Sequence, residues 1–163
     1  MTQLEYNYIS AARHSLATDD TLSLAFRDTA ERTIKYKSSA DAPEILLPFD
    51  IDPYASLIYD IFSRRNDLSS IAVLKSGYAC KMAAQRYEIS NRMAFEFFGG
   101  LIPVVPLESA ADHFTDLPIR AALIDGLCAV AVSDKPDGAV EVALALEYTA
   151  KLSIIADSIN KYD

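Results

Sequence analysis

Apolar positions recur at helical intervals along most of the chain. Leu4, Tyr8, Ala12 and Leu16 repeat every four residues behind a T-x-x-E capping box at Thr2 and Glu5, which predicts a first helix. Leu22, Phe26, Ala30 and Ile34 keep the same spacing, with Asp19 or Asp20 as cap, and predict a second. Residues 38–52 break the period, carry two prolines and read as a linker with a short extended piece at 45–47. Asp52–Pro53 then supplies a capping carboxylate and a proline where no amide hydrogen is needed. It opens a third helix with Tyr54, Leu57, Ile58, Ile61 and Phe62 on one face.

Ser69 or Ser70 opens another run, with Ile71, Leu74 and Tyr78 along one side and Gly77 weakening its middle. Ser90 restarts a helix that Gly99 and Gly100 stop. Residues 101–107 read as irregular and 108–115 as a single helical turn. Asp116 is placed to cap a helix carrying Ile119, Leu123, Leu127 and Val130. After the turn DKPDG (134–138), Val140, Leu144, Tyr148, Leu152, Ile155 and Ile159 form the stripe of a long last helix. A hairpin is the alternative near 128–146, because Val130, Val132, Val140, Val142, Leu144 and Leu146 also alternate about that turn. Alanine, poor in strands, fills the alternate positions and favours the helical reading.

The fold class expected from this pattern is all-α: one compact domain, 1–163, of six or seven helices. The 163 residues are 51% hydrophobic and 23% charged, enough for a core and too apolar for disorder. Five glycines are few for a many-turned β-sandwich. The formal charge of −8 repels nucleic acid at long range without forbidding a local basic patch.

The stretch MAAQRYEISNRMAFEFFGGLIP (82–103) sharpens the picture. Ala84 is small where two helices would cross, Ile89 is apolar at a turn, Ser90 can cap, and Ala94 and Phe97 are spaced to face inward. On Ala84, Arg86, Tyr87, Ile89, Ser90, Phe98 and Leu101 the segment, residues 80–98, resembles the helix-turn-helix superfamily of bacterial and phage regulators. It is also similar to the short helical unit trailing the catalytic core in metallopeptidases that cut phage repressors. Glu88 stands where the superfamily usually has glycine, and no H-E-x-x-H occurs anywhere, so peptidase chemistry is not implied.

The resemblance implies a small DNA-binding regulator. Asn91, Arg92 and Glu96 would then reach base edges, and Lys75, Lys81 and Arg86 would meet phosphates. Between Arg64 and Arg92, six basic residues stand against two acidic ones, as phosphate contact requires. Two packed structural helices sharing that spacing are the alternative. Phe95, Phe97 and Phe98 cannot all lie on one helix face, so either the helix is buried nearly all round or one ring is exposed at an interface.

Other chemistry is sparse, and neither a catalytic centre nor a cofactor or metal is expected. Asp112, His113 and Asp116 could ligate a metal but read as a capped loop. Asp50 and Asp52 read as turn and cap rather than acid and base. Cys80 and Cys128 lie in apolar context and read as buried free thiols. The first residues lack the basic and apolar regions of a signal peptide, and no apolar run reaches membrane length, so a cytoplasmic protein without membrane contact is expected. The apolar spans 117–133 and 138–161 suggest a homodimer. An acidic helical adaptor or inhibitor that meets a basic protein partner is the competing function.

Overall fold

A computed structural model describes residues 1–14, 16, 21–49, 52–115 and 118–161. Its centre is a sheet and not a bundle. Seven strands, β1 (Leu22–Asp28), β2 (Thr33–Lys37), β3 (Ile45–Leu47), β4 (Ser70–Leu74), β5 (Val104–Val105), β6 (Ala121–Ile124) and β7 (Cys128–Ser133), run in the order β3-β2-β1-β4-β7-β6-β5. All neighbours are antiparallel except β5 and β6. Six helices surround them: α1 (Gln3–Arg13), α2 (Pro53–Arg64), α3 (Tyr78–Ala84), α4 (Arg92–Phe98), α5 (Leu107–His113) and α6 (Gly138–Asn160).

The all-α expectation is therefore corrected, and the physical reason lies in the strands themselves. Leu22, Phe26, Ala30 and Ile34 are spaced by four, and an even spacing also keeps to one face of a strand. Here it belongs to the β1–β2 hairpin, with Leu22 paired to Leu74 and Ile34 to Arg27. The central strands are covered on both faces, so β4, β6 and β7 are buried along their whole lengths and show no alternation of apolar with polar positions. Their alanines, Ala72, Ala121, Ala122, Ala129 and Ala131, let helices close onto the sheet. The hairpin weighed near 128–146 exists one element earlier, as β6–β7, and the segment after DKPDG is helical.

Several local readings stand. The Thr2–Glu5 capping box opens α1, Asp52 caps α2 with Pro53 in its first turn, and Gly99 ends α4 in the left-handed region. The caps read at Asp19, Asp20 and Asp116, and Asp50, lie outside the described residues. Two apolar layers flank the sheet. Leu4 and Tyr8 of α1, Ala79 and Met82 of α3 and Leu146 of α6 pack on one face. Ile58, Ile61 and Phe62 of α2 and Ala110 of α5 pack on the other. Each such large side chain, fully buried, contributes about 1.5–3 kcal/mol. Among the described residues no helix is long and apolar enough to cross a membrane.

Candidate active site at the Lys75 end of the sheet

β4 ends at Leu74, flanked by Leu22 of β1 and Ala129 of β7. β2 ends at Lys37 beside Leu24, and β6 at Ile124 beside Cys128. The connections leaving β2, β4 and β6 therefore open on one edge of the sheet, and the polar side chains collect there.

Lys75 is the first residue past β4. Its amide donates to Thr21 O at 2.8 Å, which continues the ladder and fixes where the side chain leaves the edge. Its Nζ donates to Ser38 O at 2.6 Å and stands 5.7 Å from the ring centre of Tyr54. Tyr54 is held by the start of α2. There Asp52 Oδ1 accepts from the Ala55 amide at 2.7 Å, and its Oδ2 accepts from the hydroxyl of fully buried Tyr36 at 2.9 Å. A second ammonium follows the same plan: Lys37 Nζ donates to Ala40 O at 2.7 Å and lies 5.4 Å from the Tyr8 ring centre. Two cations thus flank one short loop, each resting against an aromatic face.

The turn from Lys75 into α3 needs glycine. Gly77 has φ +96°, and a Cβ there would collide with the carboxylate of Glu147 on α6. That carboxylate accepts from the amides of Tyr78 and Ala79, the latter at 3.0 Å, and so caps α3 from 69 residues away. Cys80 Sγ in turn donates to Leu74 O at 2.8 Å.

Burial controls the titrations at this edge. Tyr54 is raised above the ordinary phenol value by burial first, then by Cys128, Cys80 and Asp52. Burial pushes Tyr36 well above it too. Cys80 is pushed up to about 12 by burial and then by Glu147, and Cys128 is raised by burial and then by Cys80. All four groups stay protonated at neutral pH, and of the four Tyr54 lies against the Lys75 ammonium. Such a cluster of perturbed groups at one edge marks a candidate site.

The residues singled out for DNA contact are dispersed and engaged elsewhere. Asn91 caps α4 through its Oδ1 at 2.9 Å from the Ala94 amide. Its Nδ2 donates to Thr149 O at 3.1 Å and Ser153 Oγ at 2.7 Å, so the amide cannot turn to a base edge. Arg92 pairs with Glu96 at 2.7 Å across one turn, Arg86 with Asp125 at 2.8 Å, and Lys81 lies over Tyr78. Of the six, only Lys75 reaches the cluster described above. The metal trio loses Asp116, which lies outside the described residues, and no three potential ligands gather among those described.

The opposite end of the sheet holds a cavity of about 330 Å³ beside Arg65, Arg120 and Lys135. There Arg65 is taken up by both oxygens of Asp67 at 2.7 Å and by Phe114 O at 3.1 Å, and Arg120 by Phe97 O. These cations stabilise the connections around them.

Sequence reasoning gave Lys75 a phosphate of DNA, put Tyr54 on the apolar face of the third helix, where it does pack against the core, and read Gly77 as a weak point inside a helix, where the structure has the start of α3. The legible signal was an unbroken apolar run followed by K-S-G and a short helix, the pattern of strand, turn and helix.

No family model and no curated protein sequence matches the chain. Solved structures do match. An L-fuculose 1-phosphate aldolase superposes with TM-score 0.76 at 14% identity, covering 96% of this chain and 85% of that one. The L-fuculose-1-phosphate aldolase from Thermus thermophilus gives 0.74 at 14% identity, over 99% and 95% of the two chains. YgbL of Escherichia coli, described as a putative aldolase/epimerase/decarboxylase, gives 0.70 at 15%, over 93% and 86%. At these identities the likeness establishes a shared fold. That fold overturns the helix-turn-helix resemblance: α3 is the crossover leaving a central strand, and α3 and α4 are parts of an α/β layer rather than a separate reading unit. The DNA-binding regulator is thereby corrected, and so is the expectation of a non-enzyme, since the fold is one that aldolases use.

Proposed function

We propose that the chain is an enzyme acting next to the carbonyl group of a small, hydroxylated, anionic compound, with its site at the Lys75 end of the sheet. The observation that carries this reading is Lys75 itself, standing over Tyr54 at the carboxyl end of a central strand in a fold that sugar-phosphate aldolases share. The reactions named for the similar structures, aldol cleavage, epimerisation and decarboxylation, all leave an electron pair next to a carbonyl. A metal ion, an amine or a fixed cation must hold it.

The donor set of this chain does not fit a resident histidine-bound metal. It has two histidines, and they lie on opposite faces of the sheet, His14 at the end of α1 and His113 at the end of α5. The Lys75 ammonium is, of the two cations at this edge, the one at the end of a central strand. In an aldol cleavage the carbon–carbon bond breaks and its electron pair moves onto the carbonyl oxygen, beside Lys75. The hydroxyl proton of the departing half goes to water. The Tyr54 phenol, held protonated, gives its proton to the enolate carbon and regains one from water.

The test is turnover of L-fuculose 1-phosphate and a panel of ketose phosphates and 2-keto acids by the purified protein, with Lys75→Met and Lys75→Arg in parallel. Cleavage by the parent, lost in Lys75→Met and partly kept in Lys75→Arg, supports the reading. Turnover that survives Lys75→Met, or none on any compound, overturns it.

A further inference from the structure

We infer that the C-terminal half of α6 is a self-association seam that pairs with the same helix of a second copy, antiparallel. The helix has 23 residues, about 35 Å of rod, but its last buried residue is Ala150; Leu152 to Ile154 are half-buried and the residues from Ile155 to Lys161 are exposed. Tyr148, Leu152, Ile155 and Ile159 follow one another at spacings of four, three and four. That is the a/d repeat of a coiled-coil seam rather than the broader stripe that packs a helix on a globular core. Tyr148, Ile155 and Ile159 are 51%, 44% and 59% exposed, and Leu152 is half-buried. Among the described residues Leu152 alone of the row is partly covered, and the other three side chains are left exposed.

Charge and geometry single out a second copy as the occupant. The protein carries −8, yet no carboxylate lies between Glu147 and Asp157, so this is a stretch where two like-charged copies can meet without repulsion. A two-fold axis between Leu152 and Ile155 sets Tyr148 against Ile159 and Leu152 against Ile155, twice over, so one row satisfies both sides of an isologous contact. The helix α4 packs beside the row, through Asn91 to Thr149 and Ser153, and carries Phe95, 60% exposed, one turn beyond Asn91. That ring adds apolar surface beside the row, toward the roughly 800 Å² per partner of a standard interface. The span 117–133, expected to share such a contact as a helix, is β6 and β7 within the sheet and carries no seam.

Sedimentation equilibrium of the full chain tests this. The parent is expected at twice its 17.9 kDa, or an even multiple, and Ile155→Lys and Leu152→Glu each at 17.9 kDa with unchanged circular dichroism. Ile159→Lys, at the most exposed position of the row, serves where either of these fails to fold. Mixing Ile155→Lys with Leu152→Glu sets opposite charges face to face and is expected to restore the paired mass. A parent that stays at 17.9 kDa overturns the inference. So does association that survives both lysine variants, or a mixture that does not pair.

Discussion

The two short helices α3 and α4 have seven residues each, yet their beginnings are built in opposite ways. α4 is capped by its own neighbour, Asn91, whose remaining donors are fixed by α6, so every polar group at that start holds the fold together. α3 has no side-chain cap of its own. It begins at a glycine in a left-handed conformation and takes its carboxylate from Glu147, far along the chain. Two residues before that glycine stands Lys75, whose ammonium donates to Ser38 O and lies 5.7 Å from the ring centre of Tyr54. Polar groups that close locally stabilise; polar groups brought together from distant elements, around a backbone only glycine permits, mark where chemistry can occur.

The largest expected effect separates these two starts by activity. On a substrate that the parent turns over, Lys75→Met should lower kcat/KM by about 10²–10³, the usual loss for one group that holds a developing oxyanion. Asn91→Ala should leave it unchanged. An equal loss from both would erase the distinction.

Alkaline pH provides a second contrast. The thiols of Cys80 and Cys128 are raised by burial, so the folded state holds their protons after the unfolded chain has released its own. Stability should be complete below the ordinary thiol range, near 9, and fall with rising pH until about 12, where Cys80 itself ionises. Urea titrations at stepped pH check this, and Cys80→Ala should flatten the slope. Smaller effects sharpen the local comparison. Gly77→Ala should cost about 1–3 kcal/mol from left-handed strain alone, with the clash against Glu147 added, in the same assay. Asn91→Ala should cost about 1 kcal/mol for its lost cap. Arg92→Ala, exposed and paired only with its neighbour Glu96, should stay within about 0.5 kcal/mol and change no activity.

The chain made some of this legible and concealed the rest for identifiable reasons. Caps carry their chemistry locally, and Thr2 with Glu5, Asp52 with Pro53, and Gly99 were readable as such. Strands buried on both faces lose the alternation that announces them, so SIAVL and CAVAVS passed for helix. Short alanine-rich strands deepened the error, because alanine is small enough to sit under a helix at close range. The site is a long-range assembly: Ser38, Tyr54, Lys75 and Glu147 come from four separate stretches. Only Lys75 drew notice in advance, through a charge count that gave it a phosphate of DNA. The basic run between Arg64 and Arg92 dissolves in three dimensions into pairs with Asp112, Asp67, Asp125 and Glu96.

A titration of ¹⁵N-labelled protein with L-fuculose 1-phosphate, followed by amide chemical shifts, tests most directly where the chemistry resides. The account predicts shifts concentrated at Ser38, Tyr54, Lys75 and Gly77 and abolished by Lys75→Met. Shifts centred on Arg65 and Lys135 at the other end of the sheet, or on Asn91 and Arg92, would contradict it.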